Sequence, residues 1–246
     1  MDSLIGLLDN ENRFVRWYCT DALGNVQSDK VVGPLAGRLE DPDHNVRRAA
    51  AGALGETGSA LAIPVLIEAF RDTAKGVESD AARSLGKLGA REALPLLIGA
   101  LKSDQSAVVR SSAWALGEIG DDRAVEPLVS CLDREADWHF YLVGEALRKL
   151  GSDKAEDAFI AGMQNGAWWM QGSSAEALGE MRSETGFLPL VEALRNGEVR
   201  LRRAAALALM NYPLRKTEAY MREALKDEDW EVRMYAEAAL KKRNVG

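Results

Sequence analysis

The chain has 246 residues, 47% of them apolar, which is enough to bury a sizeable core and too much for a disordered segment. Its net charge of -7 works against a broad phosphate-binding surface, because affinity for nucleic acid rests on neutralising phosphates with Lys and Arg. No apolar run is long enough to span a bilayer and no charged-then-apolar leader opens the sequence, so a cytoplasmic protein without a membrane partner is expected.

Along the chain, Ala-Leu-Gly or a close variant returns at Leu23, Leu54, Leu85, Leu116, Leu147, Leu178, Leu209 and Leu240. Each interval is 31 residues, as from Leu23 to Leu54. Equal spacing without insertion predicts one repeat domain over residues 1–246 and leaves no room for a second.

Each unit holds two helical patterns. The first unit opens with Leu4, Ile5, Leu7 and Leu8, followed by Val15 to Gly24. Later units place Pro34, Pro64, Pro95, Pro127 and Pro189 near the start of the first helix, called A, where a missing N–H costs little. The second helix, B, runs as in Val46 to Gly55 and carries the anchor leucine. Gly58, Gly89, Gly120 and Gly151 stand four residues beyond their anchors, where a left-handed residue would close helix B. Short acidic turns such as Asp41-Pro42-Asp43 join the helices. One such hairpin cannot bury its apolar stripe alone, so neighbours must stack. The expected fold is an all-α solenoid of eight helical hairpins.

The pattern Val-Arg-x-x-Ala-Ala-x-Ala-Leu-Gly, from Val46 to Gly55 and in part from Val15 to Gly24, resembles the HEAT-like repeats named after the phycobilisome (PBS) lyases. The resemblance covers essentially the whole chain and implies a right-handed, curved superhelix. It implies little about activity, because the family spans bilin lyase subunits, a di-iron hydroxylase and many adaptors.

With the anchor leucine as zero and 100° per residue, helix-B positions -8, -4, -1, 0 and +3 share one stripe of Val, Ala and Leu, the expected core. Positions -9, -6, -5, -2 and +2 form a second stripe whose residues change from unit to unit. In the resembled family this stripe lines the concave surface. All six tryptophans lie on or beside it: Trp17, Trp114, Trp138, Trp168, Trp169 and Trp230. Aromatic density peaks in units five and six, at Trp138, His139, Phe140 and Tyr141 and then Trp168, Trp169 and Met170. Glu118, Glu145, Glu176 and Glu180 share the stripe. The candidate partner-binding residues are therefore Trp17, Trp114, Glu118, Trp138, Tyr141, Glu145, Trp168, Trp169 and Glu176, and the implied ligand is apolar with some basic character. The opposing reading is that the tryptophans fill gaps between helices.

The Arg at position -7, present as Arg16, Arg47, Arg202 and Arg233, gives way to Glu78, Val109, Phe140 and Gln171 in the middle units. Arg195, Arg200, Arg202 and Arg203 form the one basic cluster, expected to be a solvated and partly paired face.

Chemistry finds little support. The two histidines, His44 and His139, are three units apart, so the His-Glu pairs of a di-iron site are missing and no catalytic residue is assigned. His139 beside Glu145 or Glu176 reads better as a packed histidine than as an acid or base. Cys19 and Cys131 have no second ligand at metal spacing and are expected to pack in the core, so neither a metal nor a cofactor is implied.

The expected function is a non-catalytic scaffold or adaptor that clasps a protein or peptide on its concave helix-B face. A bilin lyase-like subunit holding a tetrapyrrole is the alternative, and a nucleic-acid-binding HEAT-like protein a second, disfavoured by charge. Self-association through the terminal units is a further route, since Leu4 to Leu8 open the chain with no preceding helix to shield them.

Overall fold

The computed structural model describes residues 1–241 other than 73, 75, 133–136 and 152, and the side chains of 132 and 137–141 lie outside that description. Among the described residues there are sixteen α-helices and no strand. The A helices are α1 (Asp2–Gly6), α3 (Val32–Gly37), α5 (Ile63–Ala69), α7 (Leu94–Ala100), α9 (Val125–Leu132), α11 (Asp153–Asn165), α13 (Phe187–Asn196) and α15 (Leu214–Ala224). The B helices alternate with them: α2 (Arg13–Gly24), α4 (His44–Glu56), α6 (Val77–Lys87), α8 (Ser106–Ile119), α10 (Asp137–Leu150), α12 (Trp168–Met181), α14 (Val199–Leu209) and α16 (Trp230–Lys241). The architecture is the expected α-solenoid of eight hairpins, each B helix holding one anchor leucine.

The helix signals are physical ones. Pro64 and Pro95 sit in the first turns of α5 and α7, and short 3-10 turns lead into α3, α5, α7 and α9. Gly58, Gly89, Gly120 and Gly151 are all left-handed, with φ between 61° and 68°. Hairpin six departs from this rule. The same position there is Arg182, at φ 51°, the one described non-glycine residue with positive φ. Its Cβ makes that conformation cost on the order of 1 kcal/mol.

Core assignment follows the first stripe. In α4, Val46, Ala50, Ala53, Leu54 and Thr57 are all buried, and the anchors from Leu23 to Leu209 are fully buried. Leu240 is only half-buried. Both cysteines are buried and free.

The chain divides into two compact units, Met1–Cys131 and Leu132–Gly246. In each, the B helices pack against one another in succession, while the A helices pack chiefly on their own B partners. The glycine of Ala-Leu-Gly permits that close B–B approach. A Cβ on Gly55 would stand 2.8 Å from the Cα of Ser84, and one on Gly179 would stand 2.6 Å from the Cα of Ala208. Each seam glycine therefore meets the small residue just before the next anchor. In hairpin five this glycine is replaced by Arg148.

A second device ties the outer hairpins. Arg16 donates Nε and Nη2 to Asp41 at 2.7 and 2.9 Å. Arg47 repeats the contact to Asp72 at 2.6 Å, and Arg202 to Asp227 at 3.0 and 3.1 Å. In all three the partner lies 25 residues on, in the turn of the next hairpin. Glu78 and Gln171, which lack the arginine, have Ser103 and Asn196 rather than a carboxylate 25 residues on. The loss of Arg at position -7 is therefore a paired loss. In the second unit, Tyr212 adds a tie of its own, its hydroxyl donating to the carbonyls of Ser183 at 2.7 Å and Leu178 at 3.1 Å. Burial raises the ionisation of that hydroxyl well above its ordinary value.

Candidate binding face

In the first unit, the second stripe of α2 presents Phe14, Trp17, Tyr18, Asp21 and Asn25, and that of α4 presents Asn45, Arg48, Ala49, Gly52 and Glu56. All ten residues line a single groove of about 750 Å³, closed on one side by Asp80 of α6. Helix periodicity puts them there, since spacings of three and four residues keep side chains on one face. The stripe read from sequence thus lines this groove.

Aromatic rings form one wall. Phe14 is 59% and Tyr18 65% exposed, while Trp17 is half-buried and packs edge-on to Tyr18 with centroids 4.7 Å apart. Arg13 lies over the Phe14 ring at 5.0 Å and bonds Asp43 at 3.0 Å. Arg48 bonds Asp80 at 2.9 Å, and Lys87 pairs with Glu56. Two arginines thus meet four carboxylates in the lining, and Asp21 makes no ion pair with any described residue. Burial pushes the Asp43 carboxyl up, but bonds from Asn45 and Arg13 outweigh it and hold it below its ordinary value. The floor is small: Gly24, Ala49, Gly52 and Ala53. A Cβ built on Gly52 would find nothing within 4 Å.

Sequence reasoning named Trp17 here and passed over Phe14 and Tyr18. Their signal was position, -9 and -5 on the stripe; a search weighted to tryptophan misses it.

The other first-unit candidates, Trp114 and Glu118, lie on α8. Trp114 is half-buried beneath Arg83 at 5.9 Å, and Glu118 is exposed.

In the second unit, Trp138 and Tyr141, together with His139 and Phe140, lie outside the described side chains. Trp168 is 64% exposed, but Arg200 of the following hairpin covers its ring at 4.7 Å. Trp169 is half-buried. Glu145 and Glu176 flank a small cleft between α10 and α12, lined also by Gly144, Arg148, Ser173, Ala177 and Glu180. Arg148 occupies the seam where hairpins one to four and six have glycine, bonding Glu145 at 2.7 and 3.0 Å and pairing with Glu180 at 3.0 Å. These acids are therefore partly neutralised within the chain. The basic cluster is paired as expected: Arg195 with Glu223, Arg202 with Asp227 and Glu228, and Arg203 with Asp229 and Glu231.

Among the described residues no three His, Cys, Asp or Glu side chains are placed to hold a metal ion. No described helix is long and apolar enough to cross a membrane.

The HEAT-repeat sequence profile matches residues 1–82 and 70–140, more than half of the chain. The chain belongs to the HEAT-repeat family. No curated protein matches its sequence. Among solved structures, this HEAT-repeat chain is similar to Escherichia coli YibA, with a TM-score of 0.62 at 17% identity over 98% of this chain and 92% of that one. The complex of CpcE and CpcF of phycocyanin lyase from Nostoc gives a TM-score of 0.54 at 23% identity, covering 87% of this chain and 88% of that one. An engineered protein gives 0.54 at 22% identity, covering 99% and 78%. At such identities the likeness shows the fold alone.

Proposed function

We propose that the chain is a cytoplasmic, non-catalytic scaffold, a single solenoid over residues 1–246, that holds a segment of a partner protein on its helix-B face. The residues assigned to that face are Trp17, Trp114, Glu118, Trp138, Tyr141, Glu145, Trp168, Trp169 and Glu176, with Phe14 and Tyr18 added. One observation carries the reading. Among the described residues every exposed aromatic ring, Phe14, Tyr18, Trp168 and Trp230, stands on a B helix, whereas on the A helices Phe159 is buried and Phe187 and Tyr220 are half-buried. Exposed aromatics gathered on one layer are the usual anchors of an interface.

Covering about 100 Å² of one such ring contributes about 2.5 kcal/mol. Association costs on the order of 4–15 kcal/mol. Several rings must therefore be covered together, which favours a partner segment over a small ligand. The pigment-handling alternative fares worse, because the propionates of a tetrapyrrole need free cations and Arg13 and Arg48 are already paired.

The test is affinity isolation from source-cell extract with the wild-type chain and a Trp17→Ala, Trp168→Ala, Trp169→Ala variant of verified fold. A protein lost only from the variant eluate supports the reading. A bilin that shifts its absorbance on addition to the pure chain, with no protein partner captured, would turn it toward the pigment alternative.

A further inference from the structure

We infer that the groove between α2 and α4 is a receptor for a basic peptide segment, with a lysine or arginine of the partner at Asp21 and its apolar neighbours on Phe14, Trp17 and Tyr18. The inference rests on the scaffold reading and gives it a place and a partner chemistry. Three independent features of the groove support it.

The first is size. At about 750 Å³ the groove falls within the range of sites that enclose organic ligands. Its depth comes from the floor, where Gly52 stands with open space above it. Glycine in the middle of a helix weakens that helix relative to alanine. Unlike Gly24, Gly55, Gly86 and Gly179, Gly52 has no helix pressed against it to require it. What the missing side chain provides is room for another chain.

The second is charge. Arg13 and Arg48 are each held by a carboxylate, and Glu56 is held by Lys87. Asp21 alone among the groove acids is exposed and unpaired with any described residue. An acidic partner would meet it uncompensated, and a purely apolar one would cover it at a desolvation cost.

The third is the rings. Asp21 lies one helical turn beyond Trp17 and Tyr18 on the same face, so a cation reaching the carboxylate passes over aromatic surface. The chain shows the arrangement within itself, where Arg13 sits over Phe14 while bonding Asp43, Arg195 over Tyr220 while pairing with Glu223, and Lys216 over Phe187 while pairing with Glu184. No described cation covers Trp17 or Tyr18.

The experiment selects a random dodecapeptide phage library on the full chain and measures the best peptide by fluorescence anisotropy against variants whose fold is checked by circular dichroism. The expected consensus carries Lys or Arg beside aromatic or aliphatic residues. Binding should weaken about tenfold in Asp21→Asn and at least as much in Gly52→Leu, and stay unchanged in Leu188→Ala on the helix-A side. Gly52→Leu is a blocking variant whose Cβ meets nothing within 4 Å, so the helix backbone should hold and the melt should confirm a folded chain.

An acidic or purely apolar consensus, no enrichment at all, or affinity indifferent to both Asp21→Asn and Gly52→Leu would overturn the inference. Peptides lost in Trp168→Ala yet indifferent to Gly52→Leu would overturn it and leave the scaffold reading standing. A chain that captures neither peptide nor protein on any part of the B face would sink both.

Discussion

Arg16 holds Asp41 across the boundary between the first two hairpins with two hydrogen bonds, 2.7 and 2.9 Å, and Asp41 is 4% exposed. The same guanidinium donates Nη1 to the carbonyls of Asn10 and Glu11, so one side chain fastens its own turn and the next. Arg16→Ala would leave the buried carboxylate with Arg38, 3.7 Å away, as its remaining cation and should cost about 2 kcal/mol. Arg13→Ala, whose side chain is 60% exposed, should cost less than about 1 kcal/mol. Chemical denaturation of the two variants side by side checks the contrast.

Acid should undo the same class of contact. Hydrogen bonds from Arg203 bring the Asp229 carboxyl down to about 2. Burial pushes Asp41 up, but Arg16 and the Asp43 N–H outweigh it and hold it below its ordinary value. A carboxyl lowered in the folded chain adds stability that is complete above its unfolded value of 3.8 and vanishes as pH falls through its folded value. The thermal midpoint should hold level from pH 7 to about 5 and fall between about 4 and 2. Asp229→Asn should flatten part of that fall; an unchanged profile would remove Asp229 from the account.

Backbone strain at Arg182 is removable. Arg182→Gly should stabilise the fold by about 1 kcal/mol, since glycine takes the left-handed conformation without a Cβ conflict. Gly120→Ala should cost a similar amount at the matching place in hairpin four. Thermal melts of both variants test this rule in opposite directions.

The two kinds of helical glycine should part on substitution. Gly179→Ala puts a Cβ 2.6 Å from the Cα of Ala208, a backbone atom that can yield only if the two helices part, so a loss of about 1–3 kcal/mol is expected. Gly52→Ala meets nothing within 4 Å and should gain about 0.5–1 kcal/mol in helix propensity. Equal losses at both sites would mean that Gly52 is structural and that the groove floor is not free space.

The hairpins were legible because every unit repeats the anchor leucine and many repeat the punctuation around it, a proline near the start of A and a left-handed glycine four residues beyond the anchor. Arg182 shows where that reading stops, since its position matches the glycines but its residue type does not announce the positive φ it adopts. The thinning of Arg at position -7 was visible too, but its meaning was not. Asp41 and Asp72 lie 25 residues away, and only stacking brings them to Arg16 and Arg47. For the face, the stripe could be computed from 100° per residue, and all ten of its residues on α2 and α4 line the groove. Which hairpins would form that groove could not be. Depth depends on Gly52 lying low where Trp114 and Glu176 occupy the matching row on other helices. Nor does sequence show that Arg200 lies over Trp168, a contact between residues 32 positions apart.

The central claim, that the helix-B face is the working surface, is tested most directly by photo-crosslinking in source-cell extract. A benzophenone side chain is placed singly at Tyr18 and Trp168 on B helices, and at Leu61 and Leu188 on the helix-A side, all four exposed in the free chain. The account predicts adducts to a partner protein from Tyr18 or Trp168 and none from Leu61 or Leu188. Adducts from the helix-A positions alone, with both B positions silent in folded protein, would contradict it.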